Sequence, residues 1–139
     1  MKVNNKFAIG GIIAFILIVF IGVGSLLFQG YKSASYTITS DSLQISGMYG
    51  ETVKAADIKN ISISEDLPEI KKRTNGSAIG SQLKGHFDVT GYGNATLFLD
   101  TKIPPFIFIE TGTKTIILND TDRTKTETLY KNIKTLAGK

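Results

Sequence analysis

Between Phe7 and Phe28 the chain runs for 22 residues without a charged side chain, FAIGGIIAFILIVFIGVGSLLF. A helix rises ~1.5 Å per residue, so this run reaches roughly 33 Å, enough to cross a hydrocarbon core of about 30 Å. A domain of this size has no room to bury so long an apolar rod, and residues 7–28 are read as a transmembrane helix. The competing reading is a cleaved signal peptide. Lys2 and Lys6 suit either, and Ser33-Ala34-Ser35 before Tyr36 supplies small residues for cleavage near residue 35. Signal h-regions span only about 7–15 apolar residues, so length favours a retained anchor. Gly10 and Gly11 lack the four-residue spacing of a G-x-x-x-G face, which favours a plain anchor over a specific helix dimer.

Positive flanks stay in the cytoplasm. Lys2 and Lys6 precede the run, whereas the far flank QGYKSASY carries Lys32 alone. Residues 1–6 are therefore expected as a cytoplasmic tail, 29–35 as a linker, and 36–139 as one extracytoplasmic domain. Tyr31 and Tyr36 are expected near the outer interface, where amphipathic rings are favoured. The expected location is a cell membrane crossed once, or the exterior if the segment is cleaved.

The chain has no cysteine, which excludes disulfides, thiolate metal sites and cysteine nucleophiles. Its net charge is +4; without Lys2 and Lys6 there remain 14 basic and 12 acidic residues, a net of +2. That is too near neutral for nucleic acid, which calls for a concentrated basic stripe. No cofactor motif is legible.

From Tyr36 onward, short alternating runs separated by turn residues read as an antiparallel β domain. Tyr36/Ile38 and Leu43/Ile45 fall at the two-residue period of a half-buried sheet. Thr52-Val53, residues 58–64, 85–89, 95–99, 106–109 and 114–118 continue the series. The runs at 97–99 and 106–109 are apolar on successive residues, so both faces of those strands need cover. Pro104-Pro105 is read as structural, stiffening the path between two strands. The period then changes: Leu129, Tyr130, Ile133, Leu136 and Ala137 form one helical stripe. Asp120, Thr121 and Asp122 are competent N-caps, Thr124 with Glu127 matches a capping box, and Gly138 suits a C-terminal stop. The stripe is expected to plug the open side of the β domain.

A series of short strands followed by one amphipathic helix is the element order of pleckstrin-homology domains. The chain resembles the bacterial pleckstrin-homology family carried on small membrane proteins. The resemblance lies in YTITSDSLQISGMYGETVKAADIKNISI, in RTNG with the later GHFDV and GYGNATLFL, and in DRTKTETLYKNI. These are structural spacings, not catalytic signatures. The resemblance implies a mainly β (α+β) chain: a transmembrane helix, then a PH-like β-barrel of about seven strands closed by the C-terminal helix. It implies no particular ligand, because one fold hosts unrelated functions.

Residues 67–84 lack strand periodicity and are expected as a long loop. Lys71, Lys72 and Arg73 form the densest basic cluster, followed by Gly76 and Gly80, an arrangement suited to an anionic group. The alternative is a solvated charge run beside Glu65, Asp66 and Glu69. No G-x-x-x-x-G-K-[ST] occurs, and Gly91-Tyr92-Gly93 reads as a hairpin turn. His86 is the single histidine, which precludes a multi-histidine metal site; no G-x-S-x-G elbow supports a serine dyad. Asn60, Asn75, Asn94 and Asn119 head N-x-S/T sequons, relevant only in a eukaryotic secretory pathway.

The reading these residues favour is a non-enzymatic, membrane-anchored binding or scaffold module without cofactor or metal. Its partners would be the bilayer through residues 7–28 and a protein, an anionic lipid headgroup or an envelope component. The rivals are an envelope hydrolase or transferase using His86, and an accessory subunit of a larger membrane complex.

Overall fold

The computed structural model describes residues 5–139. Lys2 and the start of the expected tail lie outside the described residues. An α-helix, α1 (Asn5–Tyr31), leads the chain, and its 27 residues make one helix long and apolar enough to cross a membrane. Only Gly30 of this helix is buried, so nearly its whole apolar surface projects away from the rest of the protein.

Nine strands follow: β1 (Ser35–Ile38), β2 (Ser42–Ser46), β3 (Thr52–Lys54), β4 (Ile58–Ser64), β5 (Ile70–Ile79), β6 (Gln82–Val89), β7 (Gly93–Asp100), β8 (Phe106–Thr111) and β9 (Thr115–Leu118). A C-terminal helix, α2 (Arg123–Ala137), ends the fold. The architecture is α+β, as the sequence implies. The expected closed barrel of about seven strands is not found: nine strands form among the described residues, and they close no barrel. The strands divide into a three-stranded sheet, β1-β2-β3, and a six-stranded sheet, β4-β8-β9-β7-β6-β5. A 3-10 turn at Ala55–Asp57 separates β3 from β4, and no ladder rejoins the sheets among the described residues.

The larger sheet is also not wholly antiparallel. After β8 turns into β9, β9 inserts beside β7 and runs parallel to it, pairing Ala95 with Thr115 and Phe98 with Leu118. This insertion makes β8, β9 and β7 the buried centre and explains their consecutive apolar residues. Ile107, Ile109, Ile116, Leu118 and Phe98 point to a core shared with Leu43, Ile45 and Val53 of the small sheet. Phe106, Phe108, Ile117, Leu97 and Leu99 point to a second core with Phe87 and Val89, flanked by Leu67, Ile70 and Leu83. Each face of the central strands thus meets its own apolar cluster.

Helix α2 covers the first core as its stripe requires, with Leu129 and Ile133 buried and Tyr130, Leu136 and Ala137 packed alongside. Asp122 is the N-cap, its Oδ1 accepting from the Lys125 N–H at 2.8 Å. Gly138 stops the helix at φ 69°. Arg123 reaches back to Glu65 with two charge-assisted bonds of 2.5 and 2.8 Å. That hydrogen bonding holds the Glu65 carboxyl below its ordinary value of 4.5. A carboxylate with a lowered folded pKa stabilises the fold above the unfolded value and loses that contribution as pH falls through the folded one. The full chain in detergent is therefore expected to be modestly more heat-stable than Glu65→Gln at neutral pH. The gap should close in acid, below 4.5, as Glu65 protonates; a gap that widens in acid would contradict the pairing.

Tyr36 belongs to the domain rather than to the membrane interface expected for it. Its hydroxyl lies 2.8 Å from Asn119 O and 3.1 Å from Phe98 O, and burial pushes its pKa far above the usual phenol range. Asn119, a sequon residue by sequence, is buried and bonded through its whole amide.

Candidate functional site

Residues 67–84, expected as a loop, contain β5, the following turn and the start of β6. The basic cluster therefore lies on a strand. Strand β5 is an outer strand of the large sheet, paired to β6 alone, and residues 71–75 are exposed. A strand wet on both faces has no reason to alternate, which is why its period was illegible. Register shifts at Ile70/Lys72 and at Arg73/Asn75 mark bulges around the cluster. Exposed lysines and bulges are what natural edges carry to discourage unwanted pairing. Lys71, Lys72 and Arg73 are in no ion pair among the described residues. They remain open to an external anion.

The opposite end of this hairpin holds the end of α1. A Cβ on Gly30 would run into the Ile79 side chain, so the end of the helix lies close against β5. The Tyr31 ring passes over Gly80, and Gln82 Nε2 lies 3.4 Å from Ser33 Oγ. Lys84 closes the junction. It is 2 % exposed, and its ammonium donates to Gln29 O at 2.9 Å and to Lys32 O. These are the orphan carbonyls at a helix C-terminus, where a cation is favoured. Burial, then the neighbouring Lys32 charge, lowers the Lys84 pKa from its ordinary value of 10.5. Helix α1 continues to Tyr31 and β1 starts at Ser35, so only residues 32–34 join them, with Ala34 already in the core.

Seven residues separate Lys72 from Ile79, roughly 23 Å along a strand. The basic cluster and the helix junction are thus separate sites on one hairpin. His86 lies between them on β6, half-buried, its Nδ1 sharing a 3.4 Å contact with Thr96 Oγ1 across the strand pair. No serine or carboxylate hydrogen-bonds the imidazole among the described residues.

A further cleft of about 290 Å³ opens between β3 and the β8–β9 turn, lined by Glu51, Val53, Lys59, Thr111, Lys114 and Ile116 among others. Glu51 Oε2 lies 2.6 Å from Lys114 Nζ, while Oε1 is buried without a partner. Nothing local in sequence announces this pair, whose members are 63 positions apart. The Lys84 contacts were equally hidden, since Gln82, Lys84, His86 and Asp88 alternate as an ordinary wet strand face. No group of three metal-ligating side chains is present among the described residues.

Comparison of the chain with protein-family models, with curated proteins and with solved structures found no match.

Proposed function

We propose that this chain is a single-pass membrane protein whose β domain is a non-enzymatic binding module, held against the bilayer by its own anchor. The observation that carries the reading is the junction: the end of α1 is packed into the β5–β6 hairpin through Gly30, Tyr31 and Lys84. A cleavable signal peptide would have no need of such packing. Cleavage near residue 35 would also remove Ala34 from the core and Ser35 from β1. Retention of the helix is the more economical account.

The bound partner is proposed to carry negative charge, because Lys71, Lys72 and Arg73 stand exposed on β5 without ion pairs. Their separation from the α1 junction favours a protein or envelope polymer over headgroups gathered around the anchor. The strand series with one closing helix supports kinship to pleckstrin-homology domains in element order; the parallel β7–β9 pair departs from the antiparallel domain expected. The domain is proposed to face outward, on the asymmetry of Lys2 and Lys6 against Lys32.

Two measurements test this reading. Intact mass of the protein from native membranes should include residues 7–28, with the domain protease-sensitive only from the outer side. Cross-linking in those membranes should yield an adduct that disappears when Lys71, Lys72 and Arg73 are all changed to alanine. Loss of three exposed charges, each worth about 0.5–1 kcal/mol, would weaken capture by roughly one to two orders of magnitude. An unchanged adduct would remove the basic strand from the site.

A further inference from the structure

The packed junction leaves a cavity of about 230 Å³ beside the end of α1, lined by Lys32, Lys84, Ser33, Ser35 and Ser46 among others. Two lysines and three serines are among its lining residues, and no Asp or Glu is. Neither lysine is in an ion pair among the described residues. An ammonium has three N–H donors, and Lys84 spends two on Gln29 O and Lys32 O, which leaves one. The bare carbonyl end of a helix repels anions. Here that end is already occupied by Lys84, so the local field of the cavity is cationic.

The depth of the cavity indicates what fills it. The apolar run ends at Phe28, and Gln29 to Lys32 continue for ~5 Å at helical rise. A headgroup layer adds roughly 5–8 Å to each side of the hydrocarbon core. If α1 spans the bilayer, as proposed above and as this inference requires, the cavity sits among lipid phosphates. We propose that it seats the phosphate of an anionic phospholipid from the leaflet into which α1 emerges. Lys32 and the remaining Lys84 N–H would meet the phosphate oxygens, with the serine hydroxyls completing the shell. Such a lipid would tie the domain to the bilayer at a second point.

The test places the full chain in nanodiscs of mixed phosphatidylcholine and phosphatidylglycerol and counts, by native mass spectrometry, the lipids that stay bound when the disc is dissolved. Wild type should retain phosphatidylglycerol in preference. Lys32→Gln, at an exposed position, should reduce that retention about five-fold, the effect of one lysine near an anionic headgroup. Ser46→Glu, also exposed, places a carboxylate at the cavity wall and should abolish the preference. Lys72→Gln removes the same charge at the far end of the hairpin and should change nothing. Equal retention of both lipids by wild type overturns the proposal, as does an equal loss in Lys72→Gln and Lys32→Gln. Displacement of phosphatidylglycerol by added inorganic phosphate overturns it too, making free phosphate the ligand. A chain that fails to enter the discs refutes the membrane span; insertion without lipid preference refutes only the cavity site.

Discussion

Replacing Gly85 with valine is expected to lower the thermal midpoint of the full chain in detergent by about 15 °C or more. Gly85 has φ 101°, a backbone state that side-chain-bearing residues enter at a cost of about 1–3 kcal/mol. It also pairs directly with Gly76 across the β5–β6 ladder. A Cβ there would lie 2.7 Å from both Asn75 O and Gly76 Cα. Those are backbone atoms of the neighbouring strand, and they cannot swing aside as a side-chain tip would. Strain and overpacking together amount to about 3 kcal/mol or more, a large share of the stability of a domain this size. The damage falls beside Lys84, so the grip on α1 should loosen with it. Gly91→Ala supplies the contrast. Its φ of 85° is similar, but nothing lies within 4 Å of the added Cβ, so only the conformational cost applies. Tyrosine fluorescence against temperature measures both. A Gly85→Val chain that melts with Gly91→Ala would mean the two strands can part without cost.

The contrast between β5 and its neighbours shows what a sequence discloses and what it conceals. The strands at 97–99 and 106–109 were legible from their unbroken apolar runs, because each side chain answers to one of two apolar clusters. Helix α2 was legible from its stripe and from the capping candidates Asp120, Thr121 and Asp122, of which the fold uses the last, because caps and periods are local matters. Strand β5 was not, since Lys71 to Asn75 touch water on both sides and impose no pattern. The closed barrel failed for another reason. Closure depends on which edges meet, and the insertion of β9 beside β7 is decided by long-range pairing that no short window contains. The candidate sites divide along the same line. Lys71, Lys72 and Arg73 announce themselves as a run; Lys84 becomes unusual only when residues 52 to 55 positions earlier fold over it.

That division has a functional consequence. An anchor joined by a slack linker would raise the local concentration of the domain and nothing more. With Gly30 against Ile79 and Lys84 on the helix carbonyls, the orientation of β5 is set by the orientation of α1. On the function proposed above, a ligand bound on the strand and a protein packed on the helix would sense one another through a stiff connection. Coupling of this kind requires that both bias the same element, and the β5–β6 hairpin is the element shared.

The second large effect is expected at Asn119, where a change of one atom type reverses the hydrogen bonding. The Asn119 amide donates to Asp100 O and Ile103 O, each at 2.8 Å, and its Oδ1 accepts from the Asp100 N–H at 2.9 Å. The side chain is 4 % exposed and pins the connection between β7 and β8. Asn119→Asp keeps the shape but turns the donor into a carboxylate oxygen facing two carbonyls. Two lost bonds to buried acceptors, plus a desolvated charge, should destabilise the chain by about 4 kcal/mol or more. The pH dependence identifies the cause. Burial raises the folded pKa of the new carboxyl above its unfolded value, so the folded state binds the extra proton. Stability is then greatest below the unfolded pKa of about 3.9 and falls as pH rises through the folded one. A protonated carboxyl regains one donor, so melting curves should show Asn119→Asp recovering part of its deficit in acid. Asn119→Ala, which opens a small cavity and places no charge, should be similarly destabilised at neutral pH without that recovery. If the aspartate variant instead kept the same offset from the alanine variant at every pH, the carboxyl at 119 would be in contact with water and the junction between β7, β8 and Tyr36 would need another anchor.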